Sequence, residues 1–375
     1  MKKIAIIVGT RPEAIKLMPV YLAFKNVKQF QVDLISTGQH KEMLNQVFDI
    51  FKVSPTVSLN LMTANQTLNG LASKLISSLD NLVLKNNYDG VIVQGDTLTA
   101  MVGAMVAFNT KVSVFHVEAG LRSYDMNHPF PEEANRRVIG VYASLNFTPT
   151  KKATNALLKE GFNANTVINV GNTVIDALFK VENSIKANIE SYKTKFNTVL
   201  VPNKKSILIT AHRRENFGEG FTNICEAIVE LSKQFKDINF IYPVHLNPNV
   251  QKVVNSMLAN IDNVKLIAPL AYDDMIYVMS KSYLILSDSG GIQEEAPSLN
   301  KPVVVLREKT ERMEGIEKGC SVLVGTSKTK IIDTVTQLIN DKDLYAKMSQ
   351  ASNPYGDGNS SEKIVAQVLK FYALK

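Results

Sequence analysis

The sequence predicts an α/β protein made of two doubly wound domains, each a parallel sheet with helices on both faces. Three observations lead there. Short β-branched apolar runs recur along the chain between segments of helical periodicity, the pattern of strands buried on both faces and joined by crossover helices. The series is interrupted once, by a polar, lysine-rich stretch over residues 181–205. With 375 residues the chain exceeds the size at which a single core usually divides, and 45% hydrophobic with 21% charged residues is ordinary for a globular protein.

Taken in order, the first strand is expected over residues 4–8, where Ile4, Ile6, Ile7 and Val8 form a continuous apolar run. It leads into Gly9-Thr10-Arg11-Pro12, where proline suits the first turn of a helix and Arg11 and Lys16 can meet an anion near its positive end. Further strands are expected over 32–36, 91–94, 112–116 and 167–170. The 91–94 strand leads into Gly95-Asp96-Thr97 and the 112–116 strand into Glu118, with Pro131-Glu132-Glu133 beyond. After the polar stretch, strands are expected over 207–210, 240–242, 264–267, 284–286 and 303–306. The first of these leads into His212-Arg213 and the second into His245. The domains are therefore expected at 1–180 and 181–359, with a helix over 360–375 returning to the first after the irregular Asn353-Pro354-Tyr355-Gly356 segment.

The strand over 284–286 runs into Ser287-Asp288-Ser289-Gly290-Gly291 and then a helix. Ser289 can cap that helix, and Gly290 and Gly291 let a pyrophosphate approach its first-turn amides. A carboxylate so close would repel phosphate, so Glu295, one turn in, suits ribose hydroxyls. An ordinary strand-to-helix turn is the plainer reading of two glycines. Asp96 can likewise be a helix cap, Glu118 a partner of Arg122, Glu132 and Glu133 partners of Arg136 and Arg137, and His116 a core histidine.

The net charge of +7, from 42 basic and 35 acidic residues, helps gather an anionic substrate, while the dispersed lysines do not form a nucleic-acid patch. Cys225 and Cys320 suggest neither a disulfide framework nor a zinc site, and the five histidines form no metal-binding pair. No apolar run reaches the ~18 residues of a membrane span. No membrane association and a cytoplasmic location are expected.

The motifs GTRPEAIK, TGQHKEML, QGDT, HVEAGLRS, PFPEEANR, GNTVIDAL, AHRRENFG, YPVHLNPNV, SDSGGIQEEAPS and NPYGDG occur in that order from Gly9 to Gly358. Together they closely resemble the bacterial non-hydrolysing UDP-N-acetylglucosamine 2-epimerases. The resemblance implies a GT-B-like architecture of two Rossmann-like domains facing a cleft that closes to exclude water. It also implies interconversion of UDP-N-acetylglucosamine and UDP-N-acetylmannosamine through UDP and 2-acetamidoglucal, supplying N-acetylmannosamine units for bacterial surface polysaccharide. Neither cofactor nor metal is implied, and a homodimer is expected.

By the same resemblance Asp96, Glu118 and Glu132 are acid/base carboxylates and His212 is the catalytic histidine near the leaving group. Arg11, Lys16, Arg213, His245, Ser289, Gly290, Gly291 and Arg312 fall on substrate-binding positions, and Glu295 on the ribose carboxylate. Gln39, His40, Gln66 and Glu133 fall in a region where regulated members bind a second UDP-N-acetylglucosamine. Those members carry arginine where this chain has Asn65, so weakened regulation is expected. Met313 stands where proline is usual, which suggests a local loop change. A hydrolysing epimerase, a GT-B glycosyltransferase and a non-catalytic nucleotide-sugar sensor are the competing readings.

Overall fold

The computed structural model describes residues 1–38, 41–63 and 66–374. The chain forms two compact units, Met1–Lys180 with Tyr355–Lys375, and Val181–Pro354. The first contains β1 (Lys2–Val8), β2 (Phe30–Ser36), β3 (Val57–Ser58), β4 (Gly90–Gln94), β5 (Ser113–Val117), β6 (Leu145–Thr148) and β7 (Val167–Asn169). They lie in the order β3-β2-β1-β4-β5-β6-β7, every pairing parallel. Ile6 sits between Leu34 and Ile92 in this register, and all three are buried, as strands covered on both faces require.

The second unit contains β8 (Ser206–Thr210), β9 (Asn239–Pro243), β10 (Val264–Ile267), β11 (Leu284–Ser287), β12 (Val303–Val305) and β13 (Ser321–Leu323). Their order is β10-β9-β8-β11-β12-β13, again all parallel. The ten expected strands are all present. Missing from the expectation were β3, β6 and β13. Of these, β3 and β13 are too short to form a periodic signal, and β6 mixes Leu145 and Phe147 with Asn146 and Thr148, all four buried. The polar stretch after 181 is largely helical, in Thr173–Ala187 and Ile189–Lys195. The last helix, Ser360–Ala373, packs within the first unit: the Tyr372 hydroxyl donates to the Asp89 carbonyl at 2.8 Å, and Phe371 meets Phe115 edge-on with ring centres 5.3 Å apart. Asp176 accepts the Ser361 amide at 2.7 Å near the start of that helix.

In both sheets the chain first builds outward in one direction, then returns to the starting strand and builds in the other. The reversal lies between β1 and β4 in one unit and between β8 and β11 in the other. Loops leaving those neighbouring strands diverge to opposite faces and open a crevice at the carboxyl ends, the customary ligand site of such sheets.

Glu13 joins the two loops at the first reversal. It stands in the first turn of helix Arg11–Lys25, and its buried carboxylate accepts the Thr10 amide at 2.6 Å, the Gly9 amide at 3.1 Å and the Thr97 hydroxyl at 2.7 Å. Burial pushes its pKa up from 4.5 to about 7, against the lowering effect of those hydrogen bonds. Between these two pH values the folded chain holds a proton that the unfolded chain releases. The contribution to stability is therefore full below the unfolded value and is lost as pH rises through the folded one. Glu13→Gln is expected to remove this slope, so urea unfolding should show a larger stability difference from wild type at about pH 5 than at about pH 8. A difference independent of pH would overturn the assignment.

Candidate active site

The expected acid/base residues of the first unit lie at the ends of β4 and β5 and at the start of helix Glu132–Tyr142. Asp96 follows Gly95, whose φ of +69° suits the tight exit from β4. Its carboxylate accepts Arg136 Nη2 at 2.6 Å and its carbonyl accepts Asn135 Nδ2 at 2.9 Å. Thr97, not Asp96, caps the following helix, accepting the Ala100 amide at 3.0 Å. His116 Nε2 lies 2.7 Å from the Gly95 carbonyl, and because a carbonyl only accepts, Nε2 carries the proton. Burial drives the His116 pKa down to about 4, so the ring is neutral and acts as a prop beneath the Asp96 loop.

Glu118 adopts a left-handed backbone, φ +65°, an uncommon conformation for a non-glycine residue at the end of a strand. Its carboxylate is ion-paired with Lys16 and accepts Gln94 Nε2 at 2.9 Å. Arg122 pairs elsewhere, donating from Nε and Nη2 to the two oxygens of Glu160, each at 2.7 Å. The carboxylate of half-buried Glu132 makes no hydrogen bond among the described residues, whereas its neighbour Glu133 is fully buried. Glu133 accepts the Ser123 amide at 2.9 Å, Arg137 Nε at 3.0 Å and Arg136 Nη1 at 3.3 Å. Burial works to raise its pKa, but the Ser123 bond and the two arginines outweigh it and hold the carboxyl low. Arg11 stands half-buried at the first position of its helix.

In the second unit, β11 runs through Asp288 and Ser289 into helix Gly290–Glu295. Ser289 occupies the cap position, but its hydroxyl makes no capping bond; its amide donates to Ser287 Oγ at 3.0 Å. The first-turn amides have no acceptor within the helix, which is what an anion site needs. A Cβ added at Gly290 would lie 3.3 Å from the guanidinium carbon of Arg312, so the missing side chain lets that cation lie against the helix start. Arg312 is held by Glu294 at 3.0 Å and precedes helix Met313–Glu317, whose first residue is Met313, a position where proline costs little.

Arg213 belongs to the same cationic cluster. Burial and then nearby Arg307 push its guanidinium pKa down, with Arg312 adding to them, against Asp288 and Glu215. Arg307 is anchored by a 2.6 Å bond to Glu215. Buried Glu295 accepts the hydroxyl of buried Tyr272 at 2.7 Å, an arrangement that orients a carboxylate toward hydroxyl donors. His212 and His245 stack with ring centres 5.0 Å apart and planes 5° from parallel.

The structure thus brings Lys16 to Glu118, Asp96 to the Glu132 helix, and His212, Arg213, Ser289, Gly290, Gly291 and Arg312 to the ends of β8, β11 and β12. Sequence reading left out Glu13, Gln94, Arg136, Tyr272, Asp288 and Arg307 as site residues. Several sit inside the quoted motifs, but their partners are distant in sequence; His212 and Asp288 are 76 residues apart. Of the expected regulatory residues, Gln66 is in the loop before helix Leu68–Asn86, where its side-chain carbonyl accepts the Thr63 hydroxyl at 3.1 Å. Gln39, His40 and Asn65 lie outside the described residues. Among the described residues no group of three His, Cys, Asp or Glu is placed to hold a metal, and no helix is long and apolar enough to cross a membrane.

Known proteins share both the sequence and the fold. The family model for UDP-N-acetylglucosamine 2-epimerase matches residues 22–369. A UDP-N-acetylglucosamine 2-epimerase of Campylobacter jejuni is 50% identical over 376 residues, an alignment spanning 99% of this chain and 98% of the relative. The crystal structure of UDP-GlcNAc 2-epimerase from Neisseria meningitidis bound to UDP-GlcNAc superposes with a TM-score of 0.92 at 45% identity, covering 99% of this chain and 100% of that one. The S. aureus MnaA–UDP co-structure gives 0.87 at 45% identity, covering 100% and 98%. With its two all-parallel, doubly wound units of the GT-B-like class and this likeness along nearly its whole length, the chain belongs to the UDP-N-acetylglucosamine 2-epimerase family.

Proposed function

We propose that the protein interconverts UDP-N-acetylglucosamine and UDP-N-acetylmannosamine by non-hydrolytic elimination and re-addition of UDP. The observation that supports this most is the cluster of Arg213, Arg307 and Arg312 beside the Ser289-Gly290-Gly291 turn, whose mutual repulsion a bound diphosphate relieves. The Neisseria meningitidis relative binds UDP-GlcNAc and the S. aureus relative binds UDP.

C2 of the sugar is next to no carbonyl, so its hydrogen is poorly acidic and direct inversion is difficult. In elimination a base takes the C2 proton while the C1–O bond to UDP breaks, leaving a C1–C2 double bond in 2-acetamidoglucal. In re-addition a phosphate oxygen of UDP bonds to C1 as C2 takes a proton on its other face. The two faces need two proton-transfer groups, drawn from Asp96, Glu118 and Glu132 in this reading. His212, Arg213, Arg312 and the turn amides stabilise the departing diphosphate, with Arg11, Lys16 and His245 in its surroundings, and Glu295 holds the ribose.

The reading requires neither metal nor nicotinamide and assigns the product to bacterial surface polysaccharide synthesis in the cytoplasm. It includes a homodimer, supported by apolar side chains exposed on adjacent helices: Phe108 on Leu98–Asn109, whose ring lies 5.0 Å from that of Tyr142, and Val141 on Glu132–Tyr142. Regulation by a second UDP-N-acetylglucosamine through Gln39, His40, Gln66 and Glu133 is weakened, because Asn65 cannot supply a charge-assisted bond worth about 1.5–3 kcal/mol.

Proton NMR of UDP-N-acetylglucosamine with the enzyme in heavy water is expected to show UDP-N-acetylmannosamine carrying deuterium at C2, with or without a chelator. Product without deuterium would overturn the elimination, and free N-acetylmannosamine would assign the chain to hydrolysing epimerases. Asp96→Asn, Glu118→Gln and Glu132→Gln should each lower kcat by ~100-fold or more while retaining UDP binding in calorimetry. Glu295→Ala should instead weaken UDP binding; the opposite pattern would refute the division of roles. Finally, the reverse reaction from UDP-N-acetylmannosamine free of its epimer should begin without a lag. A lag abolished by a trace of UDP-N-acetylglucosamine would show that regulation survives Asn65.

A further inference from the structure

We infer that Asp288 is the positioning residue for His212, holding the proton on Nδ1 and leaving Nε2 to act at the diphosphate. The inference rests on the proposed role of His212 and adds the group that directs it. Asp288 ends up wholly buried after β11 and uses its two oxygens differently. Oδ2 accepts the His212 amide at 2.8 Å, the Arg213 amide at 2.7 Å and Asn216 Nδ2 at 3.2 Å. Oδ1 has no hydrogen-bond partner, and His212 Nδ1 lies 3.7 Å from it. That separation is too long for a hydrogen bond, but a small rotation of the ring closes it, and a buried carboxylate oxygen left without a donor is costly.

The ring is already oriented for this. It stacks on His245, and the amide bond to Oδ2 tethers the backbone of His212 itself to the same carboxylate. A carboxylate can only accept, so the nitrogen facing it carries the proton, and a rigid imidazole then directs Nε2 the other way. The groups acting on the ring divide clearly: burial, His245 and Arg213 disfavour the imidazolium, and Asp288 favours it. The net pKa is below the ordinary histidine value, so the ring is neutral at neutral pH, and a proton kept on Nδ1 by Asp288 leaves Nε2 free to accept. As the diphosphate binds, Nε2 takes a proton from solvent and donates it in a hydrogen bond to the oxygen that gains charge when UDP leaves, while Asp288 stabilises the imidazolium from the opposite side.

Asp288→Asn tests this with little change of shape. Its carbonyl oxygen can still accept the two amides, while its NH2 faces His212 Nδ1 and forces the proton onto Nε2. Nitrogen-15 NMR of histidine-labelled wild type, with the His212 signals identified by their loss in His212→Asn, should show neutral His212 protonated at Nδ1. In Asp288→Asn the proton should move to Nε2, the His212 pKa should fall, and kcat should drop by ~100-fold or more while KM and UDP affinity change little. Wild-type His212 protonated at Nε2 overturns the inference, whether or not the variant folds. So does a folded Asp288→Asn that keeps its kcat, or one that loses UDP binding in step with activity. If the wild type fails to epimerise in heavy water, the proposed function fails instead, whatever the tautomer.

Discussion

A buried carboxylate at each sheet's reversal point is the constraint on which the strand-end loops of each unit depend. Loops leaving β1 and β4 diverge, and Glu13 ties them by accepting the Gly9 and Thr10 amides and the Thr97 hydroxyl. Loops leaving β8 and β11 diverge in the same way, and Asp288 ties them through the His212 and Arg213 amides. The crevice is a consequence of parallel topology, and open backbone amides at its floor must find acceptors. An acid filling that role is desolvated and needs good hydrogen bonds, so it sets the loops on either side in one geometry. The residues carried by those loops, Arg11 and Asp96 in one unit and His212, Arg213 and Ser289 in the other, inherit that geometry.

The two units gather different charged groups at their strand ends. In the first, carboxylates are matched to cations within the chain: Asp96 and Glu133 share Arg136, and Glu118 takes Lys16. Matched charges keep these carboxylates in place without requiring a ligand. In the second, Arg213, Arg307 and Arg312 crowd together among Glu215, Asp288, Glu294 and Glu311. Guanidinium groups gathered beside a helix start can still turn toward a polyanion, and the amides of Gly290 and Gly291 add neutral donors with the same preference.

Much of this was legible in the chain itself. Continuous apolar runs marked ten of thirteen strands because strands buried on both faces leave no polar alternation to confuse the pattern. The ordered motifs located the loops at strand ends and pointed to the family. Local readings fared less well. Asp96 does not cap its helix, Arg122 does not pair with Glu118, and Ser289 does not cap through its hydroxyl. Each of those expectations relied on neighbours in sequence, whereas Asp96 and Arg122 found their partners on other elements.

The sequence alone determined the fold class, the polar break between two series of strands, and the motif positions at the ends of strands, because apolar periodicity and turn chemistry are local properties. Only the tertiary structure decided the pairings: Lys16 with Glu118, Arg136 with Asp96, Tyr272 with Glu295, and Asp288 with the His212 loop. Hydrogen bonds and ion pairs act over a few ångströms, and sheet order, not sequence separation, sets which strand ends come that close. β1 meets β4 and β8 meets β11 across long intervening segments, so the partners of a titratable side chain become defined only when the sheet closes its register.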